Sequence, residues 1–231
     1  METELEPRTE RPSERKRWLI FGVVGSLLLL ASAIPVLTFV IASLRCASCG
    51  KNLLVLSVAM QQYASLDPNG RYPMLSDQGG RLMWDEGKPV RLIDGYLEAA
   101  TLVCPSDPVS RVDIGDSSYW YVGYVLTNDD EVEAFVDVYR KTIAAGGNFD
   151  GDLPAPPGKG SMGGDVFLRL NANLDSGRTP IPVFIEPPGH HFRESGGAVV
   201  NHRRQVKWLQ YPGEFPMTER TIAALRSIEA K

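Results

Sequence analysis

Three cysteines and three histidines are the residues whose types and spacing could carry chemistry in this chain. Cys46 and Cys49 form a Cys-x-x-Cys pair, and Cys104 follows much later. Such a pair serves redox exchange in a βαβ setting, or supplies half of a zinc site that needs two further ligands. Neither setting surrounds Cys46. A structural disulfide between Cys49 and Cys104 is the third reading, permitted in an oxidising compartment, and other pairings stay open. His190, His191 and His202 crowd into one stretch, with Glu186 and Glu194 close enough in sequence to add a carboxylate. Imidazole is the commonest metal ligand. Adjacent histidines diverge on an extended chain, so spacing alone does not assemble a tetrahedral site. A hairpin histidine bonded to backbone is the plainer account. His191 and His202 are the metal candidates, and a membrane-tethered metal-dependent hydrolase built on His190, His191 and His202 is the alternative functional reading.

Other patterns fall short of chemistry. Asn148, Asp150 and Asp152 place oxygen donors at alternate positions but lack the glycine and bidentate glutamate of an EF-hand loop. A solvated Asp-Gly turn explains them. Gly158-Lys159-Gly160-Ser161 lacks the leading glycine of a phosphate-binding loop. No serine sits in a nucleophile-elbow sequence. No catalytic residue is assigned, and no cofactor is expected. The net charge of -4 leaves no basic footprint, so nucleic acid is not an expected partner.

The elements that position these residues begin with an apolar run. Trp18 to Leu44 contains no charged residue. About 20 helical residues cross the hydrocarbon layer, so this run suffices with some tilt. Pro35 is tolerable within a spanning helix. Arg8, Arg11, Arg15, Lys16 and Arg17 precede the run, whereas Arg45 and Lys51 alone follow closely. The positive-inside rule then places the N-terminus in the cytoplasm and the remainder outside. A cleaved signal peptide is the competing reading, with Ala31 to Ala33 as the mimic of a cut site. The run is too long for a signal-peptide core, so a retained anchor is expected. Four segments result: a disordered tail at 1–17, a transmembrane helix at 18–44, a stem helix at 45–66, and an extracytoplasmic domain at 67–231.

Leu53, Leu56, Met60 and Tyr63 recur at helical spacing and predict an apolar stripe on the stem. Asp67-Pro68-Asn69-Gly70 predicts its end. Tyr96-Leu97 and Leu102-Val103 are short apolar pieces between turns. Ser118 to Thr127 predicts a strand from its aromatic and β-branched content. Asp129 to Ala145 predicts a surface helix with an acidic start, as the helix dipole favours. Gly146 to Gly164 predicts a long loop. Strands are expected at Asp165–Leu170, Pro182–Glu186, Ala198–His202 and Gln205–Tyr211. The last two form a hairpin through a turn near His202 to Arg204. Thr218 predicts the N-cap of a final helix reaching about Ile228. The class is α+β, a long N-terminal helix packed on a small antiparallel sheet. In the last strand the face of Val206, Trp208 and Gln210 is expected to meet the stem, because an indole has large apolar area to bury.

Cys49-Gly50-Lys51-Asn52-Leu53, running on to Met60-Gln61-Gln62-Tyr63-Ala64 and Asn69-Gly70-Arg71-Tyr72-Pro73, carries a family resemblance, as does Leu102-Val103-Cys104-Pro105-Ser106-Asp107. The chain resembles the type IV pilin-like and type II secretion pseudopilin-like proteins abundant in Planctomycetes. A C-terminal His-x9-Asp-Gly signature of that family aligns with His191 and, nine residues further, Asn201-His202, where Asp-Gly is replaced. Val206 to Gly213 continues the pattern. The resemblance implies a pilin-like fold and a membrane-anchored envelope protein that works through contacts with the bilayer and other envelope or pilin-like proteins, in type II secretion or pilus-type machinery. A processed prepilin carries a glutamate early in its apolar helix, and none lies between Trp18 and Leu44. The expectation is therefore a fixed anchor that keeps its N-terminus, not a filament subunit.

Overall fold

The computed structural model describes residues 14–76, 99–107, 117–174, 177, 179–191 and 195–229. Arg8, Arg11, Tyr96-Leu97 and Glu194 lie outside the described residues. Two compact units divide the chain at Ser43 and Leu44.

Helix α1, Glu14–Leu66, runs for 53 residues and contributes to both units. It begins at Glu14, ahead of Trp18, so the end of the expected tail is already helical. Its N-terminal part is long and apolar enough to cross a membrane. Leu27, Leu28, Leu29, Leu30, Val36, Leu37 and Phe39 all point outward, an apolar surface of the kind that lipid or another protein covers. Pro35 lies inside the helix, and the Thr38 hydroxyl donates to the Pro35 carbonyl at 2.9 Å.

In the second unit, α1 buries Cys49, Leu53, Leu56, Met60 and Ala64 in the core. The spacing is that of one helical face. Tyr63, expected on this stripe, is half-buried at its margin, and Ala64 takes the inward position. Each large apolar side chain so buried contributes about 1.5–3 kcal/mol. Asp67 ends the helix by accepting the Asn69 and Arg71 N–H groups at 2.9 and 3.0 Å.

The main sheet is antiparallel, ordered β1-β4-β5-β6. Its strands are β1 (Trp120–Tyr121), β4 (Pro182–Ile185), β5 (Gly196–Asn201) and β6 (Val206–Gln210). A two-stranded sheet joins β2 (Leu153–Pro154) to β3 (Val166–Phe167), within and just beyond the expected loop. The expected strand at Ser118–Thr127 pairs as a ladder only at Trp120 and Tyr121. The chain then leaves β4: Val122 donates to Val183 O, but Val125 donates to Leu168 O. Ser117 to Leu126 is buried throughout, so the run is a core crossing between two sheets.

Helices α2 (Asp129–Ala144) and α3 (Glu219–Glu229) pack on each other. Asn128 Oδ1 caps α2 by accepting the Glu131 N–H at 3.0 Å. Thr218 Oγ1 accepts the Thr221 N–H at 3.1 Å and donates to Asp129 Oδ1 at 2.6 Å, tying the start of α3 to α2. The expectation for Trp208 differs from the structure in its depth of burial. Ala198 pairs with Trp208 and Val200 with Val206, so these residues share a face, and a Cβ on Gly50 of α1 would lie 3.7 Å from Val206. Yet Trp208 is 39% exposed while Leu209 is buried at 9%. β6 is an edge strand, where a large side chain stays partly exposed.

Candidate functional site

Four segments of the second unit converge on His191. The first is the helix turn of Cys46 and Cys49, which lie three residues apart and so share a helix face. The second is the segment around Cys104. Asn52 of α1 donates to Val103 O at 3.0 Å, and Leu102 O accepts Ser118 N–H at 2.9 Å. Cys49 and Cys104 are joined in a disulfide with Cα atoms 5.2 Å apart. The third is Glu186, directly after β4. The fourth is the turn Pro187-Pro188-Gly189 that returns the chain to His190 and His191, with Gly189 at φ 104°, a backbone region that side chains disfavour.

Glu186 is the fixed point of the site. Its side chain is fully buried. Oε2 accepts the Ala198 N–H at 3.0 Å, and Oε1 lies 2.9 Å from His191 Nε2 and 3.7 Å from His190 Nδ1. Backbone pairing with β5 holds it there, and a Cβ on Gly197 would sit 2.3 Å from Glu186 O, so only glycine admits this approach. Desolvation pushes the carboxyl pKa up, but hydrogen bonds from His190 and His191, the His191 charge and the Ala198 N–H outweigh it, and the net shift is downward. The group is therefore a carboxylate at neutral pH. A second buried acid lies behind: Asp107 Oδ2 is 3.7 Å from His190 Nε2. Burial foremost, then the Glu186 charge, raises the Tyr119 phenol well above its usual range.

The carboxylate settles the His191 tautomer. A carboxylate only accepts, so Nε2–H donates to Glu186. Nδ1 faces Cys46 Sγ at 3.1 Å, and in the Nε2–H tautomer it is an acceptor. The Trp208 ring meets the imidazole edge-on, with centroids 5.2 Å apart. Cys46 is half-buried and carries a thiol outside the disulfide. A thiol, an imidazole and a carboxylate are thus aligned in that order. This geometry suits proton removal from sulfur.

The metal reading is served less well. One ligand atom each from Cys49, Cys104, Glu186 and His191 lies within 4.8 Å of the others. Both sulfurs are spent in the disulfide, however, and the thiolate is the form that binds metal. What remains is one imidazole and one carboxylate already bonded to each other. His202, the other metal candidate, sits at the β5–β6 hairpin, where Nδ1 accepts the Ile181 N–H at 3.2 Å. Asn201 organises that hairpin, its Oδ1 accepting the Arg203 and Gln205 N–H groups at 3.0 and 3.1 Å. Of the three motif positions, His191 enters the cluster, whereas Asn201 and His202 shape the turn.

The Asn148 to Asp152 segment is tied down by the protein's own groups, with Asn148 Oδ1 accepting the Asp150 N–H at 3.3 Å and the Asp150 carboxylate exposed. Asp150 O accepts from Arg71 and Arg169 at 2.8 Å each, and Asp152 Oδ1 accepts the Arg169 N–H at 2.8 Å. Lys159 pairs with Asp130 at 2.9 Å. Sequence reasoning singled out Cys46, Glu186 and His191 but did not join them. Their only signal is a glutamate followed by a stiff Pro-Pro-Gly turn and two histidines. No family model, curated protein or solved structure matches this chain.

Proposed function

We propose that this chain is a membrane-anchored, pilin-like envelope protein that acts through protein contacts, in association with type II secretion or pilus-type machinery. The carrying observation is the stem of α1: its face of Cys49, Leu53, Leu56, Met60 and Ala64 is part of the core of an α+β domain. A helix that is apolar and outward-facing in its first part and domain-buried in its second suits a protein that presents a folded head at a membrane. The disulfide to Cys104 fastens head to stem and agrees with an oxidising exterior. Orientation follows the cation excess before Trp18, with the N-terminus in the cytoplasm. The absence of a glutamate in the apolar run supports a fixed anchor.

Two measurements test this reading. A reporter enzyme active only outside the cytoplasm, fused after Lys231, should be active, and cytoplasmic activity would overturn the orientation. Photocrosslinking of the full chain in its native membrane should yield adducts with components of a secretion or pilus-type assembly. Adducts confined to unrelated cytoplasmic proteins would refute the proposed role.

A further inference from the structure

We propose that Cys46, His191 and Glu186 form a thiol–imidazole–carboxylate relay that makes Cys46 a nucleophile toward disulfides, so that the stem exchanges with a disulfide-bearing peptide or small molecule. Three observations carry it. The Sγ to Nδ1 contact is 3.1 Å and the Nε2 to Oε1 contact 2.9 Å, so both ring nitrogens are committed along one line. Glu186 is fully buried, and a buried carboxylate is destabilising unless it is fully bonded. Its second oxygen is fixed by Ala198, so the ring cannot turn without losing a buried bond. Finally, Cys46 is half-buried while the other two sulfurs are buried in a formed disulfide. The one thiol is thus the less enclosed sulfur, in a protein whose other two cysteines are held as a disulfide. A thiol needing only to fill space would not require a buried acid behind its imidazole partner.

The step balances without an external oxidant. His191 Nδ1 accepts the proton of Cys46, and Glu186 stabilises the imidazolium that results. The thiolate attacks one sulfur of the incoming disulfide. A Cys46 S–S bond forms as the incoming S–S bond breaks. The departing sulfur leaves with the electron pair and takes the proton from His191. The Cys49–Cys104 bond is unchanged. The product is a covalent tether between the stem and its partner. Among the described residues, the titratable groups facing the thiol relay are His191 and Glu186, with His190, Asp107 and Tyr119 around them, and Arg45 precedes Cys46 on its own helix.

The test uses the full chain in detergent micelles without reductant, and the aromatic disulfide 5,5′-dithiobis(2-nitrobenzoic acid) as probe. An ordinary thiol, with a pKa of about 8.5, loses reactivity roughly tenfold per pH unit below that value. In the native chain the rate at about pH 6 should stay within about threefold of that at pH 8, because the attacking species is the His-paired thiolate. The same chain unfolded in urea supplies the ordinary-thiol reference. Release of aryl thiolate should vanish in Cys46→Ser. His191→Gln should restore the tenfold-per-unit slope, which loss of packing alone would not produce in a chain that still folds. A native wild-type profile with the slope of the urea reference, or no release without denaturant, would overturn the proposal, and neither outcome depends on a variant folding.

Discussion

Replacing Leu56 by alanine tests whether the stem is part of the domain's core. Leu56 is fully buried on the stem face. The change removes three carbon atoms, and at about 0.8 kcal/mol per buried methylene the transfer loss is about 2.4 kcal/mol. The cavity left behind adds to this, since well-packed surroundings relax only in part, and measured Leu→Ala losses reach about 5 kcal/mol. A loss of about 3 kcal/mol, divided by a urea slope of about 2 kcal/mol/M, moves the unfolding midpoint by about 1.5 M. Near-UV circular dichroism of the full chain in micelles is the assay, because the buried rings of Trp120, Tyr119 and Tyr121 report on the domain. Leu54 is the matched control: it lies on the same helix, is 42% exposed, and its change to alanine should cost no more than about 0.5 kcal/mol. Equal midpoints for wild type, Leu56→Ala and Leu54→Ala would mean that the stem contributes nothing to the core, and the pilin-like reading would lose its support.

Cys104→Ser should lower stability by about 4 kcal/mol, the chain-entropy value for a loop of this length, because the disulfide spans a sequence separation of 55; urea unfolding would show it, and a loss under about 1 kcal/mol would contradict it. Asn128→Ala removes the acceptor for the Glu131 N–H at the start of α2 and should cost about 1 kcal/mol in the same assay. Burial, then the Arg203 charge, lowers the His202 pKa below its ordinary 6.5. The fold therefore favours the neutral ring. This contribution is complete above pH 6.5 and is lost as pH falls through the depressed value. His202→Gln should flatten that part of the acid limb in pH-dependent melts, and an unchanged limb would refute the assignment.

The parts of the fold that were legible in sequence are those with a strict period and a local stop signal. The stem stripe is one: Leu53, Leu56 and Met60 keep helical spacing and Asp67 ends the run, with its carboxylate on the next N–H groups. The start of α3 follows from Thr218, whose side chain caps locally, and that of α2 from its acidic first turn, to which the structure adds the Asn128 cap. Where position depends on partners far away, the sequence is silent. Ser117 to Leu126 is buried on every side, so no alternation marks where it leaves one sheet for another. Trp208 has the area for an inner position, but strand order sets it at an edge. The thiol relay draws Cys46, Glu186 and His191 from a helix, a strand end and a turn, and only the Pro-Pro-Gly reversal brings the histidine back over the carboxylate. The stem asparagine, Asn52, holds the Cys104 segment through the Val103 carbonyl, a partner too distant in sequence for any local pattern to mark.

The order of the main sheet also bears on how copies of this domain can meet. An exposed strand border invites another chain to add itself by backbone pairing. At one border stands β1, only two residues long. At the other, β6 carries outward-facing Lys207 and runs into Pro212, which has no N–H to offer a neighbouring strand. Both margins thus discourage ribbon-like growth. Among the described residues, side-chain surfaces rather than strand borders are thus the better-suited contacts between such domains.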